Sequence, residues 1–478
     1  MPGGPATDPP AATGPLLPII IGTALFMNTL DSNVIAIALP TMAKSLRTDP
    51  VTLNVAITAY LLAAAVFLPV STWVADRFGA KNVFRIAIAG FAISSLLCGI
   101  CGTLWQLVGA RMLQGMSGAM MLPVGRLVLL RSVRKSELVQ AMSYLTIPAV
   151  IGPIVGPPLG GFIVTHASWR WIFLINIPIG LIGIVLATLV IPNVREETVD
   201  RLDWRGFLLA AISLSMFVYG FESLGHNRLP MPAIGAMLAC GLLCGWLYMR
   251  HEARTPGAII DLSLLRIQTF RTSAIGGLFS RLILGATPFL LALLLQLGFG
   301  LSAFQAGMLT FTSALGALIV KIAAPAILRL LGFRIALIGN ALLVAAVSAG
   351  YALFQGSTPH WILVSALLLG GFFRSLQFTT LNSVAYADVP ARRMSHASSL
   401  SSMVQQVAQS LGIGLAAAVI DGMQGWRGHP TPTADDIAMA FPIIAALSLF
   451  GLIYFVRLPH DAAAEVSGRR ASPSRLRS

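Results

Sequence analysis

Charged residues are scarce in this chain. Asp, Glu, Lys and Arg together make up 10% of its 478 residues, whereas hydrophobic residues make up 56%. Soluble globular proteins carry about 25% charged residues, so the water-facing surface that such a fold needs is missing. The high hydrophobic content also excludes intrinsic disorder. The mean hydropathy of +0.81 is typical of a membrane protein.

Acidic residues and cysteines are the scarcest of the reactive types. The chain has 18 Asp plus Glu against 32 Lys plus Arg, which gives a net charge of +14. The basic residues are scattered between apolar runs, and this excludes a nucleic-acid-binding surface. Cysteines inside apolar stretches usually pack as small hydrophobic side chains, so neither a disulfide framework nor a redox site is predicted from Cys98, Cys101, Cys240 and Cys244.

Catalytic signatures are also missing from the sequence. No Gly-x-x-x-x-Gly-Lys-Ser/Thr phosphate loop occurs, and His251-Glu252 lacks the second histidine of a zinc protease helix. No nucleophile, base and orienting group occur together. We therefore expect no enzyme activity, no metal and no cofactor, and any active transport would draw on an ion gradient.

Long apolar segments dominate the sequence. A helix that crosses a bilayer needs about 20 mainly apolar residues. Fourteen segments meet this requirement, namely 16–38, 54–75, 83–103, 105–130, 138–165, 171–191, 204–222, 232–250, 270–297, 303–323, 334–355, 361–386, 396–421 and 438–457. If the short seventh segment and the eighth were re-entrant, twelve spans would remain. The predicted fold class is an all-α polytopic membrane protein.

The loop charges predict the orientation of the chain. Most Lys and Arg residues fall in loops on one side of the membrane when the N-terminus is placed inside. Both termini are therefore predicted to be cytoplasmic. Residues 1–15 lack the basic start of a signal peptide and are expected to be a disordered tail. Residues 458–478 are expected to form a basic cytoplasmic tail.

An internal repeat divides the chain into two halves. The segment that starts at Pro69 parallels the segment that starts at Ile322 when Gly79 is aligned with Gly332. Six helices over 16–191 are thus expected to repeat over 270–457, and the linker 192–269 is expected to add two inserted helices. Parallel repeats are typical of secondary transporters, whose halves rock around a site near the membrane midplane.

A pair of opposite charges lies inside two apolar spans. Asp31 lies about 12 Å from the outer end of the first span, and Arg111 about 9 Å from the outer end of the fourth. Burial favours a protonated carboxylate and a nearby cation favours the ionised form, so a conformational change could load and release a proton on Asp31. A permanent structural ion pair is the alternative.

Charges also cluster in the loop between the second and third spans. Asp76, Arg77, Gly79 and Lys81 place a carboxylate, two cations and a turn glycine at a cytoplasmic helix end. Charge-assisted bonds there could hold one conformation until rocking of the halves breaks them, so these residues are predicted to form a conformational latch. An ordinary loop that follows the positive-inside rule accounts well for the two cations but poorly for Asp76.

Polar residues in other spans could line a wet cavity. Intramembrane polar side chains usually face protein or water, although hydrogen bonds between helices explain them equally well. Tyr60 is one of several aromatics that could stack a flat substrate, but such residues are more often interface anchors. The tentative substrate-cavity set consists of Gln114, Arg281, Gln296, Arg374 and Gln377.

Five motifs together resemble one family. The chain is similar to the fourteen-span drug:proton antiporters of the major facilitator superfamily, of the EmrB/QacA type and closest to HsrA-like members. The motifs are LDSNVIAIALP from residue 30, DRFGAK from residue 76, Arg111 with Gln114-Gly115, the glycine-proline run over 152–161, and WRWIFLINIPIG from residue 169. The resemblance implies two six-helix bundles plus two inserted helices.

The resemblance also implies residue roles. Asp31 belongs to the motif of the first span, Arg111 assists proton movement, and Asp76 with Gly79 forms the latch. The span-five run corresponds to the antiporter motif, with Gly152, Pro153, Gly156, Pro157, Gly160 and Gly161. Thr72 and Ala80 depart from the family pattern of the latch, and Arg329 stands where Asp76 would repeat in the second half.

The expected function is proton-coupled export of a small amphipathic organic compound across the bacterial cytoplasmic membrane. The expected partners are the substrate, protons and the lipid bilayer, while the need for a periplasmic adaptor is left open. Two alternatives remain, a metabolite symporter or uniporter and a transport-inactive regulator built on a transporter fold.

Overall fold

The computed structural model describes residues 16–132, 138–191, 202–223, 230–255, 258–390, 393–429 and 431–459. The predicted tail 1–15 and most of the predicted tail 458–478 lie outside the described residues. All regular secondary structure within these ranges is helical. Seventeen α-helices, α1–α17, follow one another with short 3-10 and π turns between some of them.

The first half of the chain contains eight of these helices. Pro69 interrupts the predicted second span, because proline lacks the N–H that would continue the helix, and α2 is thereby separated from α3. The bounds are α1 Leu16–Ser45, α2 Val55–Phe67, α3 Val70–Phe78, α4 Ala80–Ile100, α5 Leu104–Ser132, α6 Leu138–His166, α7 Trp171–Leu174 and α8 Asn176–Val190.

The inserted pair and the second half follow. The inserted pair consists of α9 Trp204–Ser223 and α10 Met231–Glu252. The first of them, α9, contacts α2 of the first half and α15 of the second, with Phe67 and Phe207 edge to face at 5.7 Å. The second half has α11 Gln268–Arg271, α12 Gly277–Leu293, α13 Ala303–Gly350, α14 His360–Tyr386, α15 Met394–Arg427, α16 Ala434–Ser448 and α17 Leu452–Val456.

The number of membrane spans differs from the sequence prediction. Among the described residues, 11 helices are long and apolar enough to cross a membrane. The segment Thr52–Phe67 is a shorter apolar helix, and α5 and α6 are long helices that are not among the 11. Length and composition therefore support a multi-pass helical protein and do not confirm fourteen spans.

The repeat predicted from the sequence has a structural counterpart. Gly79 has φ 89° and separates α3 from α4. Gly332 has φ 75° and divides α13 into two helical parts, which correspond to the predicted spans 303–323 and 334–355. Glycine adopts positive φ without the steric cost that a side chain brings. The two aligned glycines thus form the same kind of sharp turn in the two halves.

The two ends of the helix bundle are distinguished by the turns that lie there. The turn at Gly79 and the start of α15 lie at one end, which we call the basic end because it carries Arg77, Lys81 and Arg393. The turns after α1 and α4 lie at the opposite end. Arg170 donates to the carbonyl of Cys101 there at 3.0 Å. An apolar core runs through both halves between these ends.

Candidate proton and substrate sites

A buried ion pair lies in the first half. Nη1 of Arg111 on α5 lies 2.5 Å from Oδ2 of Asp31 on α1. The two side chains are 0% and 1% exposed. The structure thus brings together the two charges that the sequence placed at similar depth. Neither helix could tolerate its charge alone in an apolar setting, because an unpaired buried charge costs several kcal/mol.

Three neutral side chains complete the hydrogen bonding around Asp31. Gln114 on α5 donates from Nε2 to Oδ1 of Asp31 at 3.1 Å, and Asn176 on α8 donates to the same oxygen at 3.2 Å. Ser95 on α4 accepts from Gln114 at 2.7 Å and from Asn176 at 3.4 Å. The carboxylate of Asp31 thus accepts hydrogen bonds from Arg111, Gln114 and Asn176.

Aromatic rings cover the guanidinium of Arg111. Its Cζ lies 4.3 Å from the centroid of the Tyr60 ring on α2 and 5.9 Å from that of Phe173 on α7. A cation over an aromatic face is stabilised by about 0.5–2 kcal/mol. Nη2 of Arg111 has no hydrogen-bond partner among the described residues. The guanidinium therefore has one N–H group that can donate a further hydrogen bond.

A cavity of about 510 Å³ lies between the two halves. Its first wall belongs to α1, α2 and α5, and its second wall to α14 and α15. The last residue of α14 and the first residue of α15 line it, so the cavity extends to the basic end. The lining residues are Asn28, Tyr60, Ala64, Leu68, Gly118, Ala119 and Leu122 on the first wall, and Phe378, Asn382, Tyr386, Met394, Ser398, Ser401, Ser402, Gln405 and Gln406 on the second.

Tyr60 belongs to both the charged cluster and the cavity wall. Its ring faces Arg111, and its hydroxyl donates to Oδ1 of Asn28, which also lines the cavity. Asn28 in turn donates from Nδ2 to the carbonyl of Gly118 at 3.5 Å. Tyr60 therefore connects the ion pair with the space between the halves.

The two halves are packed together at the opposite end. Gln296 donates from Nε2 to the carbonyl of Ile37 at 2.9 Å, and the backbone N–H of Phe304 donates to Oγ1 of Thr165 at 3.1 Å. A Cβ placed on Gly161 would lie 2.8 Å from Cα of Phe304. The cavity is thus accessible from the basic end and closed from the other.

Comparison with known proteins identifies the family to which this architecture belongs. The family model of the Major Facilitator Superfamily matches residues 21–413. The chain belongs to the Major Facilitator Superfamily. MdtD of Pectobacterium carotovorum, provisionally named a multidrug resistance protein, is 38% identical over 447 residues, which cover 92% of this chain and 95% of MdtD. MdtD of Salmonella heidelberg, named in the same way, is 36% identical over 448 residues that cover 92% and 94%.

Solved structures of transporters share the fold. The POT family transporter PepTSo has a TM-score of 0.69 at 15% identity, and the match covers 96% of this chain and 99% of that one. The D-xylose-proton symporter has a TM-score of 0.66 at 12% identity and covers 94% and 98%. The superfamily assignment makes this protein a transporter and confirms the sequence resemblance at that level.

The glycine run on α6 is a packing surface in this superfamily member. Gly152, Gly156 and Gly160 face α1, and a Cβ on Gly160 would lie 2.6 Å from Cγ1 of Val34. Gly161 faces α13 instead. The backbone of Pro157 similarly contacts Gly307 on α13. The predicted antiporter motif thus packs α6 against α1 of the first half and α13 of the second half. Pro153, also on α6, is partly buried.

The predicted latch residues lie together at the turn between α3 and α4. Asp76 and Lys81 are partly buried on either side of Gly79, and Arg77 is exposed. Ala80 is 1% exposed, so the position where the family usually has a basic residue lies inside the protein. The latch function stays a prediction.

The structure distributes the tentative substrate residues over different places, and none of them lines the cavity. Gln114 belongs to the charged cluster and Gln296 to the closed end. Arg281 lies behind the second wall, where it donates to Asn382 at 3.2 Å. Arg374 donates to Oγ of Ser313 at 2.5 Å, and Gln377 accepts from Asn340 at 2.8 Å, so both join neighbouring helices.

Sequence reasoning missed two members of the charged cluster. Ser95 occurs in an apolar run, and Asn176 occurs within the motif from residue 169 without an assigned role. Both are fully buried. A buried Asn or Ser in an apolar span needs a partner, and that requirement is the signal by which they could have been found.

Proposed function

We propose that the protein is a proton-coupled exporter that exchanges amphipathic organic compounds for inward-moving protons. It acts in the bacterial cytoplasmic membrane as a fourteen-span member of the EmrB/QacA type, with both termini cytoplasmic. The proton gradient is its energy source. The observation that carries the proposal is the buried Asp31–Arg111 pair, which Tyr60 connects with the cavity between the halves.

The charged cluster offers a physical route to coupling. Protonation of Asp31 removes the counter-ion of Arg111, and a buried ion pair that loses one partner is destabilised by about 3–5 kcal/mol. Movement of α1 against α5 relieves this penalty. Since Tyr60 contacts Arg111 and lines the cavity, the movement also changes the wall that meets the substrate. Proton uptake and substrate release thus favour the same rearrangement.

The packing of the bundle supports fourteen spans. Three helices, α2, α5 and α6, are not among the 11 that are long and apolar enough to cross a membrane. All three pack within the bundle: α2 contacts α5, α5 contacts α4, and α6 contacts α1 and α13. A helix placed among membrane-crossing neighbours needs less apolar surface than one that faces lipid. Arg111 and Gln114 on α5 are accommodated in this way.

Everted membrane vesicles test the proposal. Acid-loaded vesicles that contain the wild type should release protons when an exported compound is added, because entry of the compound expels protons. Asp31→Asn should abolish the release. Asp435→Asn is the matched control, since Asp435 is an exposed carboxylate at the start of α16 in the second half and takes no part in the cluster. Equal proton release from Asp31→Asn and the control would refute the role of Asp31.

A further inference from the structure

The second wall of the cavity is polar but uncharged. Among the described residues that line the cavity there is no Asp, Glu, Lys or Arg. Hydroxyl and amide groups from α14 and α15 make up most of the second wall, whereas the first wall is mainly apolar. The polar residues of the second wall are Asn382, Tyr386, Ser398, Ser401, Ser402, Gln405 and Gln406. Within the described part of the chain, a charge that acts on a substrate in this cavity therefore lies behind the lining.

Arg281 on α12 is a cation behind this wall. Its side chain is among the largest fully buried ones, at 0% exposed. Nη1 donates to the carbonyl of Ser273 at 2.9 Å and Nη2 to Oδ1 of Asn382 at 3.2 Å. Nε has no partner within the described parts of the chain, and no described carboxylate forms an ion pair with Arg281. No described carboxylate therefore offsets this positive charge, whereas Asp31 offsets that of Arg111.

Arg281 also fixes the orientation of Asn382. A guanidinium can only donate, so it binds the oxygen of the amide and leaves the Nδ2 donors on the other side. Asn382 lines the cavity. Asn382 thus lies between the cavity and Arg281, and the charge of the guanidinium acts on the cavity at this amide. Both features favour a negatively charged acceptor and disfavour a cation.

We infer that the cavity takes organic anions, whose oxyanion group, a carboxylate for example, is bound by Nδ2 of Asn382 in the field of Arg281. The inference rests on the proposed function, because it assumes that this cavity is the substrate site. The negative charge of Asp31 does not offset this preference, since Arg111 neutralises it. The apolar first wall accommodates the hydrophobic body of the substrate.

Binding of a matched trio of compounds tests the inference. Naphthoate, naphthamide and naphthylmethylammonium share one ring system and differ in charge. Calorimetry with the purified full-length protein in detergent should show naphthoate binding about tenfold more tightly than naphthamide, because a buried cation attracts the carboxylate, and the ammonium compound binding most weakly.

Two variants separate recognition from folding. Asn382→Asp should reduce naphthoate affinity by at least about tenfold without lowering the melting temperature, because Arg281 gains a counter-ion. Arg281→Gln should remove the preference for naphthoate over naphthamide. Asn82→Asp, which introduces the same charge at an exposed position of α4, should change neither.

Several results would overturn the inference. These are tightest binding of the ammonium compound, no binding of naphthoate at millimolar concentration, or unchanged naphthoate affinity in Asn382→Asp. The assay needs no membrane and no proton gradient. A preference for naphthoate without proton release in vesicles would refute the antiport proposal alone, and proton release triggered only by cationic dyes would refute the anion site alone.

Discussion

Asp31→Asn should destabilise the protein more than removal of its partner Arg111. The substitution leaves Arg111 charged and fully buried, with only neutral partners, Gln114, the carbonyl of Ala56 and the Tyr60 ring. Loss of one partner from a buried pair costs about 3–5 kcal/mol. The new amide oxygen can still accept a bond from Arg111, so we expect a cost near the lower end, about 3 kcal/mol.

Arg111→Gln should cost less, about 1–3 kcal/mol, because the carboxylate left behind can become neutral by taking up a proton, whereas a guanidinium cannot lose one. The double variant Asp31→Asn/Arg111→Gln removes both charges and should recover part of the loss. The expected coupling energy is about 1–3 kcal/mol.

Denaturant unfolding of the wild type, the two single variants and the double variant in the same detergent measures these values. The reasoning would be refuted if the costs of the two single substitutions added in the double variant to within about 0.5 kcal/mol, since additivity is the behaviour of residues that do not interact.

Three further predictions follow from other contacts. Gly160→Leu should lower the melting temperature and abolish transport, because Val34 leaves no room for a Cβ at position 160. Gly109→Leu, at a position with open space around it, should do neither. Unchanged transport in Gly160→Leu would contradict this account. Tyr60→Phe should retain the ring over Arg111 and most proton coupling, while Tyr60→Leu should uncouple proton flux from substrate flux in liposomes. Burial opposes ionisation of Asp261, but hydrogen bonds from Ser263 and Arg393 outweigh burial and lower the pKa of the carboxyl. The resulting stabilisation is present above about pH 4 and is lost as the pH falls further. Arg393→Gln should therefore cost at most about 1 kcal/mol of unfolding free energy at pH 7, and its difference from the wild type in unfolding experiments should shrink below about pH 4.

Features that depend on single helices were predictable from the sequence. The apolar segments gave the helical architecture, and the alignment of Gly79 with Gly332 identified two turns that share a positive φ. Depth along the helices also placed Asp31 near Arg111, because the rise of an α-helix is fixed at about 1.5 Å per residue. These inferences needed no knowledge of which helices are neighbours.

Features that depend on helix neighbours were not predictable. Asn176 reaches Asp31 across 145 positions of sequence, and Arg281 points at Asn382 across 101 positions. Gln296 and Gln377 are polar residues in apolar spans just as Gln114 is, yet they join helices at different places. Polarity in a span shows that a partner exists and does not show which helix provides it.

Proton release on substrate binding tests the central claim most directly. The purified protein is mixed, in weakly buffered detergent solution with a pH indicator, with the compound of the naphthalene trio that binds it best. The account predicts that wild type and Asp435→Asn release protons on binding, whereas Asp31→Asn binds the compound without releasing any. Equal proton release from Asp31→Asn would contradict the claim that Asp31 carries the exchanged proton.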